Sequence, residues 1–144
     1  MMKMNNSLER LRKIIDNRLE KLEKIKEKGL DIIKLHEMLE AAGIDHEFKK
    51  YNSHFIIDYQ ILIKNEKYKI SMVQSDVSYG IINNEIEIFD FNNEPVTSTA
   101  EHIFNLLKDN NLDLLEKYII LQNRQNEESL NEILDEFRKN QNLS

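Results

Sequence analysis

Between Ser7 and Lys28 the apolar residues fall at Leu8, Leu11, Ile15, Leu19, Leu22 and Ile25, with Ile14 alongside. Steps of three and four draw a narrow apolar stripe along one long helix. Ser7 suits its N-cap, and Gly29 suits the position just past its end. Arg18 stands where a strict seam would want an apolar residue. So narrow a stripe fits against one other helix, of its own domain or of a second copy. On the second reading Leu8, Leu11, Ile15 and Leu22 are the oligomerisation residues. A second helix is expected from Leu30 to Ala42, with a broader face of Ile32, Ile33, Leu35, Met38 and Leu39. Gly43 ends it, and Ile44 packs back on its last turn.

The periodicity then changes from helical to alternating. A first strand is expected around Glu47–Tyr51, followed by two runs, Phe55–Lys64 and Tyr68–Gln74, joined by Asn-Glu-Lys. The stretch "VSYGIINNEIEIFDF" predicts a short strand ending near Ile82, an Asn83-Asn84 turn and a strand Glu85–Phe91. Ile86 and Ile88 share one face of that strand while Phe89 and Phe91 take the other, which implies a bulge or a strand covered on both sides. Pro95 closes the β region in this reading. "TSTAEHIFNLL" starts a helix with Ser98 and Glu101 spaced as a capping box, and Asn110-Asn111 interrupts it. Two C-terminal helices follow, Leu112–Gln122 and Glu127–Lys139. The predicted class is α+β: an antiparallel sheet of four to five strands packed by helices, with a long N-terminal helix. The expected division is an N-terminal amphipathic helix (1–29), an α+β core (30–110) and a C-terminal helical extension (111–144).

Composition narrows the function. A chain of 144 residues, 40% hydrophobic and 32% charged, can bury a core without metals or disulfides. It has no cysteine, which excludes disulfides, zinc ribbons and thiol catalysis. No apolar run approaches the ~18–20 residues of a membrane span, and the N-terminus lacks a signal peptide's apolar core, so a cytoplasmic protein without membrane contact is expected. The net charge of −6 is uneven. Residues 1–30 carry nine Lys/Arg against five Asp/Glu, and the rest is acidic. An acidic body repels phosphate backbones, so direct DNA or RNA binding is not expected. All five arginines (Arg10, Arg12, Arg18, Arg124, Arg138) lie in the terminal helical regions, leaving only lysines in the middle.

Catalytic signatures are missing. His36 opens "HEMLE", which lacks the second histidine of the two-histidine zinc motif; His36 and Glu40 read either as a metal pair or as a solvated helix face, the second is preferred, and no metal site or cofactor is expected. His46 and His54 flank the first strand. Ser78 has no nucleophile-elbow context, and three glycines cannot build a phosphate loop. A non-enzyme is expected. Small, polar and aromatic residues converge only around the central hairpin, where Ser78, Tyr79, Gly80, Phe89, Phe91 and Asn92 are the candidate ligand-binding residues. Aromatic faces stack bases and amides read their edges, although rings on strands are commonly core and asparagines commonly make turns. Gly80 has no helix to cap, which suggests a bulge or a close backbone approach.

The ordered segments "LHEMLEAAGIDHEF", "YQILI", "SYG", "EIEIF" and "TAEHIF", spanning Leu35 to Leu107, resemble small uncharacterised phage and prophage proteins of low-GC Gram-positive bacteria. The resemblance implies action by binding. Similarity to the anti-Thoeris phage sponge proteins would imply sequestration of a cyclic ADP-ribose-type immune signal, with the Ser-Tyr-Gly turn and the following strand as the transferable positions. Counter-charges for its phosphates would come from Lys64, Lys67 or Lys69, from Arg124 and Arg138, or from Arg10, Arg12 and Arg18 of a neighbouring copy. The expectation is a homo-oligomeric binder of a small nucleotide-derived ligand. The alternatives are an inhibitor that occupies a host protein through its acidic surface, and a structural oligomerising protein.

Overall fold

The computed structural model describes residues 2–109 and 112–142, with side chains from residue 6 to residue 140 within those limits. The order is α1 (Met2–Lys28), α2 (Asp31–Ala41), β1 (Glu47–Lys50), β2 (Asp58–Lys64), β3 (Lys69–Ser75), a 3-10 turn (Ile81–Asn83), β4 (Ile86–Phe89), β5 (Val96–Ser98), α3 (Ala100–Leu107) and α4 (Leu112–Asn142). The five strands form one antiparallel sheet in chain order. The fold is α+β.

Alternation places the core. Tyr59, Ile61 and Ile63 of β2, Ile70, Met72 and Gln74 of β3, and Ile86 and Ile88 of β4 are buried on one face, with Ile61 opposite Met72 and Met72 opposite Ile88. Ile32, Leu35 and Leu39 of α2, Ile103 and Leu107 of α3, and Leu112, Leu115 and Ile119 of α4 complete the same cluster. The other face carries Lys49, Gln60, Lys69, Ser71 and Phe89, with Gln60 Nε2 donating to Ser71 Oγ at 2.7 Å. α1 joins the core at its C-terminal end, through Leu22 at 1% exposure and the half-buried Ile25. Arg18, the residue that interrupts the apolar stripe, donates to the Asp76 carbonyl at 2.7 Å and fastens α1 to the segment after β3.

A polar network joins the pieces. The first amides of a helix have no partner within it. Here Asp31 N donates to Asn84 Oδ1 (3.0 Å) and Ile32 N to the buried Gln74 Oε1 (2.9 Å). Gln74 Nε2 donates on to Asn84 Oδ1 and the Glu85 carbonyl, and Asn84 Nδ2 to the Gly29 carbonyl at 2.9 Å. Asp31 in turn accepts from Ala100 N at 2.8 Å, linking the starts of α2 and α3.

Several boundaries differ from the sequence reading. The two expected C-terminal helices are one helix of 31 residues, because Asn123 satisfies its own turn by donating to the Ile119 carbonyl and also exchanges hydrogen bonds with the Glu94 backbone. Ser7 is not an N-cap, since α1 already runs from Met2. Gly29 (φ 107°) and Gly43 (φ 68°) do end α1 and α2 as expected, and Ile44 N closes onto the Leu39 carbonyl. The capping side chain of α3 is Thr99, accepting from His102 N, while Ser98 ends β5 and bonds His102 Nδ1 at 2.6 Å. The strand expected to end near Ile82 is the 3-10 turn. Pro95 does not close the sheet, because β5 begins directly after it. β4 shows no phase change: its pairing with β3 is unbroken, and it stops at Phe89. The interruption assigned to Asn110-Asn111 lies outside the described residues.

Candidate functional site

The six candidate ligand residues divide into two groups. Ser78 is buried, and its hydroxyl both donates to the Ser75 carbonyl and accepts from Ser75 N, each at 3.0 Å. Gly80, at φ 78°, passes close against β5. Both therefore shape the turn. Tyr79 is 66% exposed, and its amide donates to Glu87 Oε2. It lines a shallow depression of about 470 Å³ with Pro95, Thr97, Gln122 and Asn126, which neither Phe89 nor Phe91 borders.

Phe91 and Asn92 belong elsewhere, in the loop between β4 and β5. That loop faces the β2–β3 turn across a cavity of about 410 Å³, lined by Lys64, Asn65, Glu66, Lys67, Tyr68, Lys69, Asp90, Phe91, Asn92 and Glu116. The turn is held by Asn65 Oδ1, which accepts from Lys67 N (2.8 Å) and Tyr68 N (2.7 Å). The loop is held by Asp90 Oδ1, which accepts from Asn92 N (2.8 Å) and Asn93 N (2.9 Å). Lys67 Nζ stands 5.2 Å from the centre of the Tyr68 ring, and Lys69 Nζ 5.9 Å from that of Phe91, both within cation–π range. Phe91 itself is 85% exposed. A second cavity of about 270 Å³ continues onto the open sheet face, where Phe89, Lys49, Gln60 and Ser71 join Lys69 and Phe91.

An acid pair forms one wall. Burial, then a hydrogen bond and the charge of Asp90, push the Glu116 carboxyl up to about 7. Burial would also raise Asp90, but hydrogen bonds from Glu116, Asn92 and Asn93 outweigh it and hold Asp90 below the usual carboxylate range. Glu116 Oε2 is buried without a hydrogen-bond partner, and Oε1 accepts from Asn93 Nδ2 at 3.4 Å. Below about pH 7 the pair therefore holds one proton and presents less negative charge than two separate carboxylates.

Of the candidate ligand residues, Phe91 and Asn92 line the first cavity and Phe89 and Phe91 the second, and the three lysines expected as counter-charges line the first. Sequence reasoning missed Tyr68, which alternates as a core residue would, and the Asp90–Glu116 contact. Those two acids stand twenty-six positions apart, and no local pattern signals their meeting.

The oligomerisation residues also divide. Leu8, Leu11 and Ile15 are exposed, Leu11 by 53%, whereas Leu22 is buried in its own chain and is unavailable to a partner. Leu121, Leu130, Ile133, Leu134 and Phe137 of α4 are exposed as well. His54 is exposed, and His102 stacks edge-on against Tyr118 within the fold. No helix among the described residues is long and apolar enough to cross a membrane. Comparison with known proteins returned no match: no family model, no curated protein and no solved structure aligns significantly with the chain.

Proposed function

We propose that this chain is a non-catalytic binding protein whose ligand is an anion carrying an aromatic base, of the cyclic-nucleotide class, held between the β2–β3 turn and the β4–β5 loop. One observation carries the reading: in a chain of net charge −6, Lys64, Lys67 and Lys69 gather with the Tyr68 and Phe91 rings around a single cavity. Ammonium groups answer phosphates, and exposed rings stack bases. The shared proton of Asp90 and Glu116 lowers the repulsion that a phosphate would otherwise meet. In the setting that the sequence resemblance implies, the ligand is an immune signal and the role is phage counter-defence by sequestration.

Thermal melts of the full chain against cyclic di- and trinucleotides and cyclic ADP-ribose isomers test this. A ligand at 100 times its Kd adds about 2.7 kcal/mol, a shift of several degrees at this size. The shift should vanish in Lys67→Ala/Lys69→Ala and persist in Tyr79→Ala. A shift that instead depends on Tyr79, or no shift with any of these ligands, overturns the reading. The second result would turn attention to a protein partner for the acidic surface.

A second reading rests on a different observation, the exposed apolar stripes of α1 and of α4 beyond Gln122. Soluble monomers rarely expose so much contiguous apolar surface. α1 carries nine basic against five acidic residues, and α4 beyond Gln122 carries three against five. The cover proposed for these faces is a second copy of the chain, α1 of one on α4 of the other.

A further inference from the structure

Away from the lysine cavity, three electron-pair donors meet where α2 ends. His36 and Glu40 lie four residues apart on one face of α2. The left-handed turn at Gly43 then reverses the chain, and Ile44 N closes onto the Leu39 carbonyl, so that His46 folds back over the same face. Each of His36, Glu40 and His46 brings a ligand atom within 4.8 Å of the other two. We propose that these three residues form a site for one divalent transition ion of the zinc class, with water in the fourth position.

The hydrogen bonds fix which atoms carry lone pairs. His46 Nδ1 lies 2.8 Å from the Ile44 carbonyl oxygen, which can only accept, so Nδ1 carries a proton, and in the neutral form of the ring a bare Nε2 faces the cluster. Metal-bound histidines are commonly oriented this way, the second ring nitrogen donating to a backbone carbonyl. His36 Nδ1 stands 2.8 Å from that Nε2 and Glu40 Oε1 stands 3.8 Å from it. With both rings neutral, a single proton, on His36 Nδ1, serves three converging ligand atoms, and the Glu40 carboxylate approaches the Nε2 lone pair of His46.

A cation at that point relieves the repulsion. Two histidines and a carboxylate suit zinc, and three protein ligands leave an open position. Ligand nitrogens about 2.05 Å from one tetrahedral ion are ~3.3 Å apart, so the rings must part by roughly half an ångström. The His36 proton moves to Nε2 by tautomer exchange through water, so no net proton is released from the neutral rings. Rigidity is already provided: the His46 side chain is 2% exposed, and His36 stacks on Phe48 at 4.0 Å between ring centres. Glu40, 65% exposed, leaves the open side to solvent.

Calorimetry on the tag-free, chelator-treated full chain with Zn²⁺ tests the site, with the visible spectrum of the Co²⁺-loaded chain as the second readout. The expected result is one equivalent of Zn²⁺ bound, and Co²⁺ bands of the intense four-coordinate type. Glu40→Gln, at a largely exposed position, should weaken binding at least about tenfold while leaving the fold intact, and His36→Asn should do the same. Zn²⁺ binding no tighter in the native chain than in the Glu40→Gln/His36→Asn double variant overturns the proposal. So does a Co²⁺ spectrum of the weak six-coordinate type, which would mean loose association with surface carboxylates.

Discussion

At Gly80 the backbone adopts φ 78°, and a Cβ built there would stand 2.9 Å from Glu85 Cβ and 3.1 Å from Thr97 Cγ2. Both neighbours are anchored on the sheet, Thr97 within β5 and Glu85 immediately before β4, so neither can give way cheaply. Gly80→Ala should therefore cost about 1–3 kcal/mol from strain and crowding together, read as a lower midpoint in urea at unchanged slope. Of the bulge or close backbone approach that the sequence suggests for Gly80, the structure has the close approach, against Glu85 and against Thr97 of β5. Asn84 was marked as a residue tolerant of positive φ, and it has φ 56°, but its amide also holds the Gly29–Asp31 junction. Such long-range hydrogen bonds have no local signature. Glu116 makes the same point through pH. An acid raised to about 7 in the fold, against an ordinary value near 4.5, keeps its proton while the unfolded chain loses it, so stability declines as pH rises from about 4.5 to 7. Glu116→Gln replaces the shared proton by a permanent N–H toward Asp90. It should melt higher than the native chain at pH 8 and differ little at pH 4.5. After solvent screening the gain is on the order of 1 kcal/mol, about 2–4 °C.

Element identity was legible wherever one periodicity ran uninterrupted. α2, β2 and β3 follow from stripes of three and four and from alternation because each buries one face against the core, and α1 follows from a stripe of which only Leu22 and Ile25 pack on it. Legibility failed where tertiary contact outweighs local preference. β5 has only three residues and follows a proline, and it forms because Val96 and Ser98 pair with Ile88 and Ile86 at the sheet edge. The turn at Ile81–Asn83 holds isoleucines that read as strand, yet Ile81 is buried while Ile82 is exposed and Asn83 N bonds the Gly80 carbonyl. α4 runs on through Asn123–Asn126, the polar positions between the two helices expected from the sequence. The candidate site was half legible for a related reason. Lysines and aromatics on the β2–β3 turn are local, whereas their meeting with the β4–β5 loop and Glu116 is a product of the sheet's register.

At the scale of the whole molecule the charges and the exposed apolar faces point to the same arrangement. Among the described side chains, those that fix α1 to the body lie toward its C-terminal end, at Leu22, Ile25 and Arg18, and from Leu8 to Leu19 its apolar residues face solvent. The twenty residues from Met2 to Lys21 span ~30 Å, comparable to the free half of α4, so paired stripes of that length can reach the ~800 Å² per partner of a standard interface. A basic helix on an acidic one gains from both burial and complementary charge, and two copies exchanging α1 for α4 close the assembly symmetrically. Light scattering on an eluting peak should then give twice 17.2 kDa for the native chain. Leu11→Lys/Ile15→Lys should give 17.2 kDa with an unchanged melting temperature at low protein concentration, since neither side chain contributes to the chain's own core. Raising the salt toward 1 M, where charges are screened beyond ~3 Å, separates the two contributions. A dimer that persists is held mainly by the apolar seam, and one that dissociates by the charge match. A native chain that elutes as a monomer at every concentration and salt would mean that these faces meet some other molecule, and the second-copy arrangement would be wrong.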